Sequence, residues 1–308
     1  HTIDPLMLER VEVIHGANAI HGMGASGGII NLITRRPTES WQQSIRVESL
    51  AQEEDVGESL GYGANYSLSG RTGNFDLLAS VGYRSSGVNY DADGTLVGFD
   101  NTQGDTMDSA TTNLFLKMGY DWGDQRVELS VNDYSLRGNN DWVSVSGDYA
   151  NGKPTTAAKG EVLGDAVSNE VTLVSVVYSK EDFLGHDLRV QVFDQSFAGT
   201  FGGGTFATFS DPEFGNSVFD QSQNNSNKQG VKLTLVKDSI AQLPMSIVYG
   251  ADFLKDETYQ ALVLTGRNWV PETNYENLAL FAQLEYTGID KLTLSSGVRV
   301  EESALKVD

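Results

Sequence analysis

Cysteine is absent from this 308-residue chain, which removes disulfide frameworks, thiolate metal sites and cysteine nucleophiles together and suits an envelope or secreted protein that needs no bridges. Proline is scarce, at 6 residues, and the 33 glycines follow no Gly-x-y period, so collagen is excluded. Basic residues are outnumbered, 21 Lys and Arg against 42 Asp and Glu, for a formal charge of −21. A nucleic-acid partner needs a basic footprint to displace counterions from phosphates, and none is present. No apolar run reaches the roughly 18 residues of a membrane-spanning helix. The opening His1-Thr2-Ile3-Asp4-Pro5 lacks the basic start and apolar run of a signal peptide, so the chain reads as starting within a longer one. Histidine is also sparse, at 4 residues, and no nucleophile–base–acid set can be assembled. No enzymatic activity is expected.

What is present is alternation. From about Ser44 onward, apolar and polar residues exchange with period two. Phe75, Leu77, Ala79, Val81 and Tyr83 alternate with mostly polar or small neighbours, as do Leu114, Leu116, Met118, Tyr120 and Trp122. The pattern recurs at Val127 to Val131, Leu188 to Val192, Leu278 to Tyr286 and Leu292 to Val300. About eleven such strands can be marked, several longer than the roughly 5–6 residues usual in globular sheets. A strand with one apolar and one polar face, and a ring near its end, suits a barrel wall between lipid and a polar lumen.

The connections alternate too. Short ones are expected at Arg71-Thr72-Gly73, Gly123-Asp124, Glu181 to Gly185, Asp238 to Leu243 and Gly288-Ile289-Asp290. Long ones are expected at Gly87 to Ala110, Gly138 to Val167, Thr200 to Asn224 and Val263 to Asn274. Tight turns on the inner side and long loops outside are the asymmetry of outer-membrane barrels. The expected fold class is all-β, a partial transmembrane antiparallel β-barrel.

The first 37 residues have another texture. Leu6 to Glu12 reads as a short amphipathic stretch, Val11 to Ile14 as a strand, residues 16–28 as a small-residue turn, and Ile29 to Thr34 as a buried strand. Gly22-Met23-Gly24-Ala25-Ser26-Gly27 fits the dinucleotide fingerprint, but that motif must open a helix, whereas a β-branched run follows here. The glycines therefore read as a tight turn. His15 and His21 have no partners at ligand spacing, so no metal site is expected. Asp91-Ala92-Asp93-Gly94 lacks the distal Glu of a calcium loop and reads as an Asx–Gly turn.

The run from Glu9-Arg10-Val11-Glu12-Val13 through the glycines to Gly27-Gly28-Ile29-Ile30-Asn31-Leu32-Ile33-Thr34 resembles the end of the plug domain of TonB-dependent outer-membrane receptors, over about 30 contiguous residues. His15 and Ala17 depart from the Arg and Pro usual there. The resemblance implies residues 1–37 as the C-terminal part of a plug and 38–308 as the N-terminal half of a barrel, about eleven strands where such plugged barrels have about 22. It implies the outer membrane of a Gram-negative bacterium, contact with its lipid, and a monomer. It further implies import of a scarce nutrient, above all a ferric siderophore, by plug displacement. The energy would come from the TonB–ExbB–ExbD complex through an N-terminal box that precedes this sequence. No cofactor is implied beyond the transported iron chelate.

Cobalamin, glycans or a passive porin role stay open as alternatives. The ligand is expected among aromatics of the outer loops, Tyr90, Phe99, Trp142, Tyr149, Phe201, Phe206, Phe209, Phe214 and Trp269, with Lys153, Lys159 and Arg267 as the available loop cations. More than half of these rings are expected to staple the loops or to sit at the membrane interface. Arg10, Glu12, Arg35 and Arg36 are expected to lock plug to barrel through ion pairs.

Overall fold

The computed structural model describes residues 3–16, 18–20, 27–215 and 217–307. Two short strands, β1 (Leu8–His15) and β2 (Gly28–Thr34), pair antiparallel as a small sheet of their own. An 11-stranded antiparallel sheet follows. Its strands are β3 (Gln42–Leu50), β4 (Gly61–Thr72), β5 (Phe75–Ser86), β6 (Ser109–Trp122), β7 (Gln125–Gly138), β10 (Ser168–Lys180), β11 (Asp187–Gly204), β12 (Asp220–Asp238), β13 (Met245–Leu262), β14 (Arg267–Ile289) and β15 (Leu292–Val307). Each pairs with its neighbours in chain order. The loop between β7 and β10 carries a separate hairpin, β8 (Trp142–Val145) with β9 (Thr156–Lys159).

Alternation decides which way each strand faces. On β5, Phe75, Val81 and Tyr83 are exposed while Asp76, Leu78 and Ser80 are buried. Ile45, Val47, Leu114, Tyr120, Val298 and Val300 continue the apolar outer face across the sheet, all exposed. Such a surface is unfavourable in water and suits the lipid face of a membrane barrel. Rings gather at both rims. Tyr120, Trp122 and Tyr178 lie at the short-turn end, with centroids 6.0 and 6.3 Å apart in sequence, and Tyr62 and Tyr83 lie 6.2 Å apart at the loop end. The eight residue steps from Phe75 to Tyr83 span about 26 Å along the strand, about 20 Å of height at the usual tilt, close to the apolar band of such barrels.

The short turns fall as expected. Gly73 (φ +57°) and Gly123 (φ +63°) supply the left-handed residue that two-residue hairpins require. The expected long loop at Val263 to Asn274 is corrected: only residues 263–266 separate β13 from β14. The sheet absorbs Pro271 at register shifts around Gln260, which pairs with Val270. Likewise β11 and β12 extend into the expected loop between Thr200 and Asn224, leaving only residues 205–219 between them. The expected amphipathic stretch at Leu6 to Glu12 is instead a short turn of helix, Pro5–Met7, capped by the Asp4 carboxylate, which then passes directly into β1.

The large sheet wraps the N-terminal residues. Met7, fully buried, packs with the inward-facing Leu78 and Phe115. Residues 19 and 20 meet β12 and β15 on the opposite flank: Lys232 Nζ donates to the Ile20 carbonyl at 2.5 Å, and Arg299 Nη1 donates to that of Ala19 at 3.5 Å.

Candidate functional site

Where a large side chain would point into the lumen, β4 and β5 carry glycines, and a cavity of about 200 Å³ opens there. It lies in the loop-side half of the lumen, between Ile3–Leu6 and the wall formed by β3 to β7. Gly63 stands between Glu48 and Arg84 in the register, and Gly82 stands between Asn65 and Asn113. A Cβ on Gly82 would come within 2.6 Å of Asn113 Nδ2 and 2.9 Å of Asn65 Nδ2. Because Gly63 has no side chain, Arg84 reaches across a whole strand to Glu48, Nη2 to Oε1 2.5 Å. Arg46 binds the other oxygen of the same carboxylate, Nε to Oε2 3.2 Å. Asn113 donates to Asp4 at 2.8 Å, and its buried Oδ1 has no hydrogen-bond partner among the described residues. The site thus offers two guanidiniums, the carboxylates of Glu48 and Asp4, amides and the buried Tyr134 ring. Sequence reading missed Arg46, Glu48 and Arg84. Their signal was a charged residue at the inward phase of an alternating strand, opposite a glycine.

Below the cavity, towards the short turns, the wall holds a chain of ion pairs. Asp76, buried, accepts from Arg71 at 2.8 Å and from Arg126 at 2.7 and 3.0 Å. Arg126 also meets Asp121 and Glu128, and Lys117, 3.9 Å from Glu128, donates to Thr34 of β2 at 2.8 Å. Among the described residues, Arg10, Arg35 and Arg36 take no part in this network. Arg10 pairs with Glu9 and with Glu12 of its own strand, each at 2.7 Å. Strand geometry accounts for this, because residues 10 and 12 share a face. Among the described residues, no ion pair joins Arg35 or Arg36 to the large sheet; both are exposed. Wall cations reach inward to hydroxyl and carbonyl oxygens instead.

The expected loop aromatics separate into two clusters. Phe99 and Trp142 stack at 6.1 Å and 10° over Val88, with Tyr90 packed alongside. Lys159 lies 4.4 Å above the Trp142 ring and bridges Glu58 and Asp141, both at 3.0 Å. Phe209, buried, meets Phe206 edge-on at 5.1 Å and Trp269 at 5.0 Å. Arg267 lies over Phe214 and donates to the Phe209 carbonyl (2.7 Å) and to buried Asp220 (3.3 Å). Trp269 is a strand residue near the start of β14, and Phe201 lies on β11, rather than in loops. Two of the three loop cations are paired; Lys153 stands exposed, and the Tyr149 ring is fully exposed. Most of the rings thus hold loops together.

A pair of acids joins the two longest loops. Burial and a hydrogen bond with Asp141 push the Asp108 carboxyl up to about 6. Burial raises Asp141 as well, but hydrogen bonds from Asp108 and Lys159 outweigh it and hold that carboxyl below its usual range. Asp91 accepts from Asp93 and Thr95, both at 2.9 Å, and forms the expected Asx turn. His21 and residues 22–26 of the glycine motif lie outside the described residues. The segment after the motif is strand β2, not a helix.

No family model matches the chain. It is 26% identical over 332 residues to the rhizobactin receptor of Rhizobium meliloti, covering 97% of this chain and 43% of that protein. It is 26% identical over 349 residues to the ferric aerobactin receptor of Klebsiella pneumoniae, covering 100% of this chain and 44% of that one. The chain thus spans less than half the length of these relatives, which are receptors rather than enzymes. The solved ferripyoverdine receptor of the Pseudomonas aeruginosa outer membrane superposes with TM-score 0.66 over 98% of this chain and 42% of its own, at 14% identity, a likeness of fold. Fold and outward apolar face define part of an antiparallel β-barrel of the outer-membrane type. Within that class, the chain is similar to the TonB-dependent outer-membrane receptors, the family its first residues resemble.

Proposed function

We propose that the chain is part of a receptor that imports a ferric siderophore across the outer membrane, energised through TonB. Residues 1–37 would form the end of the plug and 38–308 barrel wall. The observation that carries this reading is the β1–β2 unit seated against the polar inner face of a sheet whose outer face suits lipid, with a charged cavity at their junction. A passive pore has no use for such an occupant. The two relatives above, a rhizobactin and a ferric aerobactin receptor, point to iron chelates as the ligand class. The charged cavity, the loop ring Phe206 and the strand ring Trp269, the rings each about one-third exposed, are the contacts an arriving chelate would meet.

The test is growth of an iron-limited host on single ferric chelates, with the intact receptor as sole importer, in TonB-positive and TonB-negative backgrounds. Growth on at least one chelate, lost without TonB, is expected. TonB-independent growth would favour a passive pore, and growth with none of the chelates would end the siderophore reading.

A further inference from the structure

Three outer loops converge on one basic side chain. Lys159 of β9 holds Glu58 of the β3–β4 connection and Asp141, which directly precedes β8, each at 3.0 Å. Asp141 in turn meets Asp108, the residue before β6, and so brings the β5–β6 loop into the same group. Lys159 occupies Oδ2 of Asp141, whereas the buried Oδ1 has no hydrogen-bond partner among the described residues. Asp108 has one oxygen committed, since Asn139 Nδ2 donates to its Oδ1 at 2.8 Å. Its other oxygen can carry a proton and give Asp141 the donor it lacks. The surroundings favour that proton. A cavity of about 20 Å³ adjoins the pair, two further carboxylates, Asp105 and Asp165, line it, and no Lys or Arg among the described residues does.

We infer that Asp108 and Asp141 share one proton and form a pH-operated clasp between the β5–β6 loop and the β8–β9 hairpin, closed while Asp108 is protonated and open once it ionises. A carboxyl donating to a carboxylate makes a charge-assisted bond, whereas two ionised carboxylates in contact repel. Lys159 offsets one of those charges, but it is already shared with Glu58. Burial and the bond to Asp141 raise the Asp108 carboxyl to about 6, so the clasp holds below that pH and is lost as pH rises through it. Thr106 and Ser109 stand on either side of Asp108 and line the cavity of about 200 Å³. Ser109 Oγ donates to the Thr106 carbonyl at 2.7 Å, which ties these residues into one turn. Opening the clasp therefore loosens the loop-side rim of that cavity. The Phe99–Trp142 stack, which carries no titrating group, limits how far the loops separate.

The clasp does not depend on which ligand is imported, and its test needs none. The chain has no cysteine, so the exposed positions Gln103→Cys and Ser146→Cys can carry spin labels on the β5–β6 loop and the β8–β9 hairpin of the intact receptor. Their separation is read by double electron–electron resonance at about pH 5 and about pH 7.5, either side of the Asp108 titration. The otherwise native receptor is expected to give one narrow distance at the lower pH and a longer, broader distribution at the higher. A dye on Ser86→Cys, at the cavity wall, is expected to be quenched by acrylamide several-fold faster at the higher pH. Asp108→Asn, whose amide N–H serves Asp141 at either pH, is expected to stay narrow and protected throughout. Asp108→Ala is expected to be broad and accessible throughout. Distances that match at the two pH values with Asp108 in place would overturn the inference. So would a pH shift that persists in Asp108→Asn, since that assigns it to another group.

Discussion

Asp76 is held by two arginines in a nearly closed environment, and its contribution is clearest in the cost of removing it. Asp76→Ala leaves Arg71 and Arg126 facing each other without their shared anion. Breaking a buried pair from one side typically costs about 3–5 kcal/mol. Because both arginines keep other partners, the lower end is expected here, read as an earlier unfolding midpoint of the intact receptor in a heat-modifiability assay. Asp108 gives a pH-dependent counterpart. Its carboxyl is raised to about 6 in the fold, while an unfolded Asp titrates near 3.9. Between these values the native state binds more protons than the unfolded one, so its stabilising effect is present at low pH and is lost as pH rises through about 6. Amide exchange in residues 87–108 and 139–167 is therefore expected to show greater protection factors at pH 4.5 than at pH 7.5, and Asp108→Asn should remove the difference. A difference that survives the substitution would assign it to another group.

At the scale of elements, the outer loops behave as small folded units rather than free chain. The Phe99–Trp142 stack joins the β5–β6 loop to the β8–β9 hairpin, and Asn101 ties the same elements through its bonds to the Trp142 carbonyl (2.9 Å) and the Ser144 N–H (2.7 Å). Trp142→Ala removes the ring beneath Lys159 and opens a void beside Phe99. A loss of about 3 kcal/mol is expected for this loop unit. Limited proteolysis should then cut within residues 87–108 and 139–167 while the strands stay intact. Cleavage equal to wild type would mean that the backbone bonds alone suffice. These loops also show where sequence reading reached its limit. Alternation locates long strands, since each residue reports its own face. It does not tell a loop aromatic that meets ligand from one that meets another loop, because both are large, apolar and surrounded by turn residues. Phe99 and Phe206 look alike in sequence; only packing buries the first and leaves the second partly open.

For the whole molecule, the decisive surface is the outer one. The native chain has no cysteine, so single-cysteine variants report one position each. Val81→Cys and Val298→Cys, placed on the outer face, are expected to be quenched by spin-labelled lipid when carrying a fluorophore, and Ser80→Cys on the inner face is not. Quenching at position 80 equal to that at 81 would contradict the assigned sidedness. Sequence alone determined the strand pattern, the side each strand turns outward, the short turns and the resemblance of the first residues to a plug, because period-two alternation and turn chemistry are local properties. Tertiary structure alone decided the rest. Arg46, Glu48 and Arg84 meet only because β3 and β5 flank Gly63 of β4. Arg10 stays on its own strand, while Lys117, Lys232 and Arg299 reach the N-terminal residues from positions far along the chain. Such meetings depend on strand register and on the curvature of the whole sheet, which no local pattern encodes.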